Sequence, residues 1–99
     1  MNIKTTNNDG KVRFVLSGSF TFDAYRDFKT EYTPILDSGN FKEIEIDLGG
    51  VEYLDSSALG MLLLLKERIG NKPIVLSNSR GTVKSVLEIA NFHQLFTMK

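Results

Sequence analysis

Between residues 53 and 60 the chain reads Tyr-Leu-Asp-Ser-Ser-Ala-Leu-Gly, and this stretch joins two segments of different character. Before it, residues 41–48 alternate between apolar and charged side chains, which is typical of a strand, and Gly49-Gly50 then interrupts the pattern. After it, residues 61–65 are all apolar. We therefore expect a strand, a break at the glycine pair, and a helix over about residues 57–69.

The two serines of this stretch lie where the helix is expected to begin. The first turn of a helix has backbone N–H groups without intrahelical partners and the positive end of the helix dipole. A serine in that turn caps the helix when bare and carries a phosphate in a favourable field when modified. On spacing alone, plain capping is favoured over a regulatory hydroxyl, and Asp55, Ser56 and Ser57 all remain possible caps.

The motif Asp-Ser-Ser-Ala-Leu-Gly at residues 55–60 follows Ile-Asp-Leu-Gly-Gly-Val at residues 46–51. Together they resemble the signature of the STAS domain, the fold of bacterial anti-sigma-factor antagonists, and the order of elements follows that family from about residue 11 to 96. The resemblance implies that Ser56, the first serine after the aspartate, is phosphorylated by a partner kinase. Ala58 stands where the family often has glycine, which is a conservative difference.

The resemblance also implies a fold. We expect an α/β STAS fold in which a mixed β-sheet of four to five strands carries three to four helices, mainly on one face. The expected organisation is a single domain over residues 1–99.

The function implied by the resemblance is that of an anti-sigma factor antagonist that works by partner switching. Unphosphorylated Ser56 permits binding to an anti-sigma factor that is also a Ser/Thr kinase, or to another regulatory target, and phosphorylation releases it. A metal-dependent, PP2C-like phosphatase removes the phosphate, and the released sigma factor acts downstream in transcription regulation. The motif looks most like single-domain members from Gram-negative bacteria tied to biofilm or motility control.

Composition narrows the class of partner. Twelve basic and twelve acidic side chains cancel, so no net field draws the chain to nucleic acid or to an anionic membrane. The chain has no Cys, which removes disulfides, thiolate catalysis and thiolate metal sites. It begins without the apolar core of a signal peptide, and no apolar run is long enough to span a bilayer. We expect a cytoplasmic domain that binds its partners through a local patch.

The first half of the chain predicts a β-hairpin followed by a helix. Residues 1–6 and 11–17 are expected to pair about an Asp-Gly turn. Phe20 and Phe22 follow in a loop, where we expect one ring to pack inward and the other to stay partly exposed. The helix from Ala24 has one apolar stripe, and Pro34 is expected to kink or end it near Thr33 because a proline inside a helix costs about 3 kcal/mol.

The second half predicts a strand, a helix and an acidic face. The carboxylates of Glu43, Glu45 and Asp47 share one face of a strand about 7 Å apart, so a solvated face is favoured over a metal site. Residues 73–77 read as a buried strand, and a third helix is expected to begin at a Ser79 cap and to end near Asn91.

The side chains of the apolar run in the second helix point in every direction around the helix axis. They cannot all lie on one buried face of the helix. If Leu59, Leu62, Leu63 and Ile69 face the sheet, the remaining residues form an exposed contact surface; the alternative is that neighbouring helices cover them. The predicted partner-binding residues are Asp55, Ser57, Gly60, Met61, Leu64, Phe20 and Asp23.

The sequence lacks the motifs of an enzyme. No Walker-type phosphate loop is present, and Ser56 lacks the flanking glycines of a nucleophile elbow. His93 is the only histidine and is interpreted as solvated or capping. We therefore expect no catalysis, no cofactor and no metal.

A second hypothesis belongs to a different class. Some STAS domains resemble sensors or transporter appendages that bind nucleotides or lipids. Phe20, Phe22 and Tyr53 around the loop motivate such a small-ligand module, without sigma-factor control.

Overall fold

Strands and helices alternate along the chain in the computed structural model, which describes residues 1–99. Short 3₁₀ turns over Phe22–Ala24 and Phe92–Gln94 lie before the first helix and after the last. The strands are β1 (Asn2–Asn8), β2 (Lys11–Phe20), β3 (Glu43–Leu54), β4 (Ile74–Ser77) and β5 (Thr97–Met98). The helices are α1 (Tyr25–Ser38), α2 (Ser56–Ile69) and α3 (Gly81–Ile89).

The five strands form one sheet in the order β1-β2-β3-β4-β5. β1 is antiparallel to β2, as the predicted hairpin requires, and the other neighbours are parallel because helical segments cross between them. Alternate residues of β2, β3 and β4 join residues of all three helices in a single buried cluster. The helices therefore pack on one face, and the predicted mixed sheet is confirmed.

β3 continues through the glycine pair, so the predicted break is wrong. Val15 pairs with Asp47 and Ser17 with Gly50, so β3 has one extra residue there, as in a β-bulge. A Cβ on Gly50 would lie 2.8 Å from the Ser17 Cβ and 3.0 Å from the Leu16 carbonyl oxygen. Glycine thus permits the close approach of the two strands, and β3 extends until one residue separates it from α2.

α1 also continues past the point where the sequence predicts a kink or an end. Pro34 lies inside the helix, and Thr30, whose carbonyl oxygen loses its helical N–H partner, is exposed to water, as is the proline. Beyond the proline, Ile35 and Leu36 pack against the core. Solvation of the free carbonyl and burial of these two side chains together offset the cost of Pro34.

The outer face of the sheet carries ion pairs, so the prediction of a solvated acidic face is wrong for Asp47, which is 7% exposed. Arg13 forms salt bridges with Asp47 and, at 3.3 Å, with Glu45, which also accepts a hydrogen bond from Ser77 at 2.7 Å. Burial acts to raise the pKa of Asp47. The effect of burial is outweighed by hydrogen bonds from the Gly49 N–H and from Asn78, together with the positive charge of Arg13. The pKa of Asp47 therefore lies below its ordinary value.

The C-terminal part of the chain differs from the sequence prediction at the start of α3, and its fifth strand lies within the predicted four to five. Arg80, not Ser79, precedes α3 as the N-cap residue, and its side chain donates to the Gly49 carbonyl oxygen at 3.2 Å. A fifth strand follows the last 3₁₀ turn, and the Lys99 N–H donates to the Leu76 carbonyl oxygen at 2.9 Å.

None of the helices combines the length and apolar character that crossing a bilayer requires.

Two glycine substitutions test the strand bulge. Gly50→Ala is expected to lower the free energy of unfolding by about 1–3 kcal/mol, because its methyl group would collide with β2. Gly60→Ala, inside α2 with nothing within 4 Å of the added Cβ, is expected to raise that free energy by about 0.5–1 kcal/mol. Urea denaturation measures both, and unchanged stability in Gly50→Ala would contradict the close approach.

The lowered pKa of Asp47 predicts a pH-dependent contribution to stability. Because this carboxyl loses its proton more readily in the folded protein, it stabilises the fold above its unfolded-state pKa, and the contribution is lost as pH falls through the folded-state pKa. Asp47→Asn is expected to cost about 1–2 kcal/mol at pH 7, and the difference from the unmodified protein should shrink at acidic pH. Asp37→Asn, at an exposed and distant ion pair, should cost less than about 0.5 kcal/mol. If the difference in unfolding free energy between Asp47→Asn and the unmodified protein stayed constant with pH, the ion pair of Asp47 with Arg13 would be refuted.

Candidate functional site

The start of α2 is organised by Asp55, the single residue between β3 and the helix. Asp55 has extended backbone, and its Oδ1 accepts a hydrogen bond from the Ala58 N–H at 3.0 Å, so it is the N-cap residue. Of the three caps that the spacing allowed, the structure selects this one. Ser56 is therefore the first residue of the helix, one position earlier than predicted, and its side chain is exposed.

The first turn of α2 leaves backbone donors free. The N–H groups of Ser56 and Ser57 have no acceptor within the protein, whereas the Ala58 and Leu59 N–H groups bond to the Asp55 carbonyl oxygen. Free N–H groups and the positive end of the helix dipole favour an anion at this position. The Ser56 hydroxyl thus lies where added negative charge is best tolerated.

Asp55 also ties the helix to the turn after β2. Its Oδ2 accepts a hydrogen bond from the Phe22 N–H at 3.4 Å, and its own N–H donates to the Phe20 carbonyl oxygen at 3.3 Å. The 3₁₀ turn that starts at Phe22 is held against α2 by these two contacts. One carboxylate therefore sets the helix start and the position of the neighbouring aromatic side chain.

A shallow apolar groove of about 270 Å³ lies between this turn, the start of α1 and α2. Phe22, with 69% of its surface exposed, forms one wall, and Leu64 is exposed on the other side. No charged side chain lines the groove, so it suits an apolar group of a partner. The lining residues are Phe22, Tyr25, Ser57, Gly60, Met61 and Leu64.

Some predicted contact residues are placed in this groove, and others are not. Ser57, Gly60 and Leu64 line it as surface residues. Met61 lines it only from below, since it is 5% exposed, and the expectation that it lies outside the core is wrong. Leu63, expected to face the sheet, is instead 39% exposed. The buried stripe of α2 consists of Ala58, Met61, Leu62, Leu65 and Ile69.

Phe20 is the clearest error among the predicted contact residues. It is fully buried at the end of β2, and its ring packs edge-on against Phe28 with centroids 5.3 Å apart. The reason is that β2 runs three residues further than predicted, so Phe20 joins the inward face of the strand. Asp23 is exposed in the 3₁₀ turn but does not line the groove.

Phe22 and Tyr25 line the groove, although neither is among the partner-binding residues predicted from the sequence. Tyr25 lies half-buried at the rim of the groove. The available signal was Phe22 itself, a large aromatic in a turn that fits no apolar pattern. The three aromatics of the small-ligand hypothesis do not line one pocket, because Phe20 is buried and Tyr53 lies outside the groove.

The histidine and the acidic side chains do not gather into a metal site. His93 is exposed in the 3₁₀ turn after α3. No group of three His, Asp or Glu side chains is placed to hold a metal ion.

Known proteins are similar to this chain over most of its length. A family model described as "Mlab, STAS domain" matches residues 3–97. A STAS-domain containing protein of Pseudomonas aeruginosa (strain UCBPP-PA14) is 42% identical over 83 residues, which cover 82% of this chain and 80% of that protein.

Solved structures share the fold at low sequence identity. An anti-sigma factor antagonist from Mycobacterium paratuberculosis superimposes with a TM-score of 0.87 at 18% identity, over 98% of this chain and 83% of that chain. The Bacillus cell fate determinant SpoIIAA in its phosphorylated form gives 0.78 at 15% identity, over 99% and 91%. The expected STAS fold is confirmed.

Two substitutions of Asp55 separate its two contacts. Asp55→Ala is expected to cost about 1 kcal/mol in unfolding free energy through loss of the cap. Asp55→Asn keeps an acceptor for the Ala58 N–H but places an amide nitrogen opposite the Phe22 N–H. Hydrogen exchange should therefore become faster at Phe22 in both variants and at Ala58 only in Asp55→Ala. Unchanged exchange at Phe22 in both would show that the carboxylate does not hold the turn.

Proposed function

The chain belongs to the STAS domain family, and on that premise we propose that it is an anti-sigma factor antagonist gated by phosphorylation of Ser56. In the unphosphorylated form the groove beside α2 binds an anti-sigma factor or another regulatory target. Phosphorylation of Ser56 releases that partner. The chain acts by binding and not as an enzyme.

The observation that carries the proposal is the placement of an exposed hydroxyl beside an uncharged groove. Ser56 opens α2, and its neighbour Ser57 lines the groove. A kinase can reach the exposed side chain without unfolding the helix. The free N–H groups of the first turn support a phosphate in the folded protein. Modification and partner binding therefore concern the same surface.

The gate is electrostatic. A phosphate adds about −1.5 to −2 charges at neutral pH, next to the Asp55 carboxylate. A partner that covers the groove with apolar side chains must then desolvate that charge without a cation to pair it. A coupling of about 3 kcal/mol is enough to weaken binding about 150-fold. No change of fold is needed, because the added charge acts directly on the contact surface.

The partners follow from the class of switch. A Ser/Thr kinase, which in this family is often the anti-sigma factor itself, adds the phosphate, and a PP2C-like phosphatase removes it. The Bacillus protein with a similar fold was solved in its phosphorylated form, which supports the proposal that this fold can carry a phosphate. We place the switch in the cytoplasm, where sigma factors and ATP are present.

Phosphosite mapping tests the first half of the proposal. The protein is incubated with ATP in an extract of its native host and analysed by intact mass. We expect one added phosphate on the unmodified protein and on Ser57→Ala, and none on Ser56→Ala. Phosphate that persists in Ser56→Ala and disappears in Ser57→Ala would show that Ser57 is the phosphorylated residue and would contradict the proposal.

Partner capture tests the second half. We compare Ser56→Ala with protein carrying phosphoserine at position 56, using Phe22→Ala as a variant that removes the exposed wall of the groove. The co-purifying anti-sigma-type kinase should be retained by Ser56→Ala and reduced at least about tenfold by phosphoserine, and Phe22→Ala should also weaken it. Equal retention by the bare and phosphorylated forms would refute the gate.

A further inference from the structure

A second concave surface lies away from Ser56, between α3, the 3₁₀ turn that follows it, and the end of β5. This C-terminal cleft has a volume of about 470 Å³ and is lined by Ser79, Lys84, Leu87, Glu88, His93, Met98 and Lys99. The volume falls within the range of small-molecule sites, about 300–1,000 Å³. None of its residues lines the groove beside α2.

The floor of the cleft is apolar. Leu87 is fully buried and Met98 is half-buried, and both belong to or pack against the hydrophobic core. A floor of this kind is rigid because its side chains are fixed by the packing beneath them. It therefore offers a flat contact to the apolar part of a ligand.

The walls of the cleft bring together basic side chains from three elements. Lys84 comes from α3, His93 from the 3₁₀ turn and Lys99 from the residue after β5. None of them takes part in any of the four salt bridges of the protein. Glu88 is the only carboxylate side chain of the lining, and it forms no salt bridge with Lys84 although the two are four residues apart on α3.

The cleft lies at the carboxyl ends of the last two strands. Ser79 follows the carboxyl end of β4, and Lys99 follows the carboxyl end of β5, which runs parallel to it. Lys84 and Lys99 both line the cleft, and neither forms a salt bridge with a carboxylate side chain of this chain.

We propose that the C-terminal cleft binds a small organic anion. The apolar body of the ligand lies on Leu87 and Met98, and its carboxylate or phosphate lies between Lys84 and Lys99, within reach of the Ser79 hydroxyl. The Glu88 carboxylate repels the anionic head and limits the affinity. The proposal is independent of the Ser56 gate, since the two surfaces share no residue.

Three probes with the same phenyl body test the chemistry: phenyl phosphate, benzoate and benzyl alcohol. Each is titrated into ¹⁵N-labelled full-length protein, and amide shifts are followed by NMR. We expect saturable shifts at Leu87, His93 and Met98, with affinity in the order phenyl phosphate, benzoate, benzyl alcohol. Benzoate binding as tightly as phenyl phosphate would identify a carboxylate site and still support an organic anion.

Charge variants locate the anionic head. Lys84→Glu and Lys99→Glu should each weaken phenyl phosphate binding by about 5-fold or more, and Glu88→Gln should strengthen it. Lys4→Glu is the matched control, because Lys4 is exposed on β1 at the opposite edge of the sheet and forms no salt bridge. It should leave the affinity within about 2-fold.

Three results would overturn the proposal. They are shifts that fail to saturate up to millimolar probe, equal binding of benzyl alcohol and phenyl phosphate, and an equal effect of Lys4→Glu and Lys84→Glu. All variants are exposed side chains, so unfolding does not obscure the comparison, and circular dichroism verifies it. Partner capture by the Ser56 variants is unaffected by any of these results.

Discussion

The carboxylate of Asp55 is the group on which the start of α2 and the turn beside it depend. One oxygen accepts from the Ala58 N–H and starts α2, while the other accepts from the Phe22 N–H and holds the preceding turn. Because β3 ends one residue earlier, the sheet, the cap and the helix follow each other without a flexible loop. The exposed hydroxyl of Ser56 is therefore placed by a helix start that is fixed directly to the sheet.

The ion pairs of the sheet and the apolar groove lie in different parts of the fold. The helices bury one apolar face of the sheet, and the opposite face is covered by the Arg13 ion pairs with Glu45 and Asp47. The groove lies outside both layers, at the carboxyl end of β3, and carries no charge. Because the chain as a whole has no net charge, no strong overall field competes with a local change of charge at Ser56.

Much of the architecture could be predicted from the sequence, because alternation with period two and apolar spacing with period 3.6 are strong signals. The hairpin, the crossover helices and the helix start near Ser56 all follow from them. Long-range packing decided the rest. Gly50 reads as a break, yet it serves the close approach of two strands; Pro34 reads as a helix end, yet buried residues beyond it keep α1 intact.

The site was predicted less completely than the fold, for a related reason. The apolar run in α2 has no preferred side, so its sequence does not determine that Met61 turns inward and Leu63 outward. The choice between Phe20 and Phe22 depends on how far β2 extends, which its pairing with β3 determines. Family resemblance marks Ser56 from its motif, but the apolar wall beside it comes from residues that only the folded chain brings together.

The most direct test asks whether the folded protein tolerates a dianion at the start of α2. Protein carrying phosphoserine at position 56 is compared with unmodified protein by urea unfolding and by amide chemical shifts. We expect free energies of unfolding within about 1 kcal/mol of each other, with shift changes confined to the first turn of α2 and the turn at Phe22. A larger loss of stability, or shift changes across the sheet, would contradict a gate that acts on the surface alone.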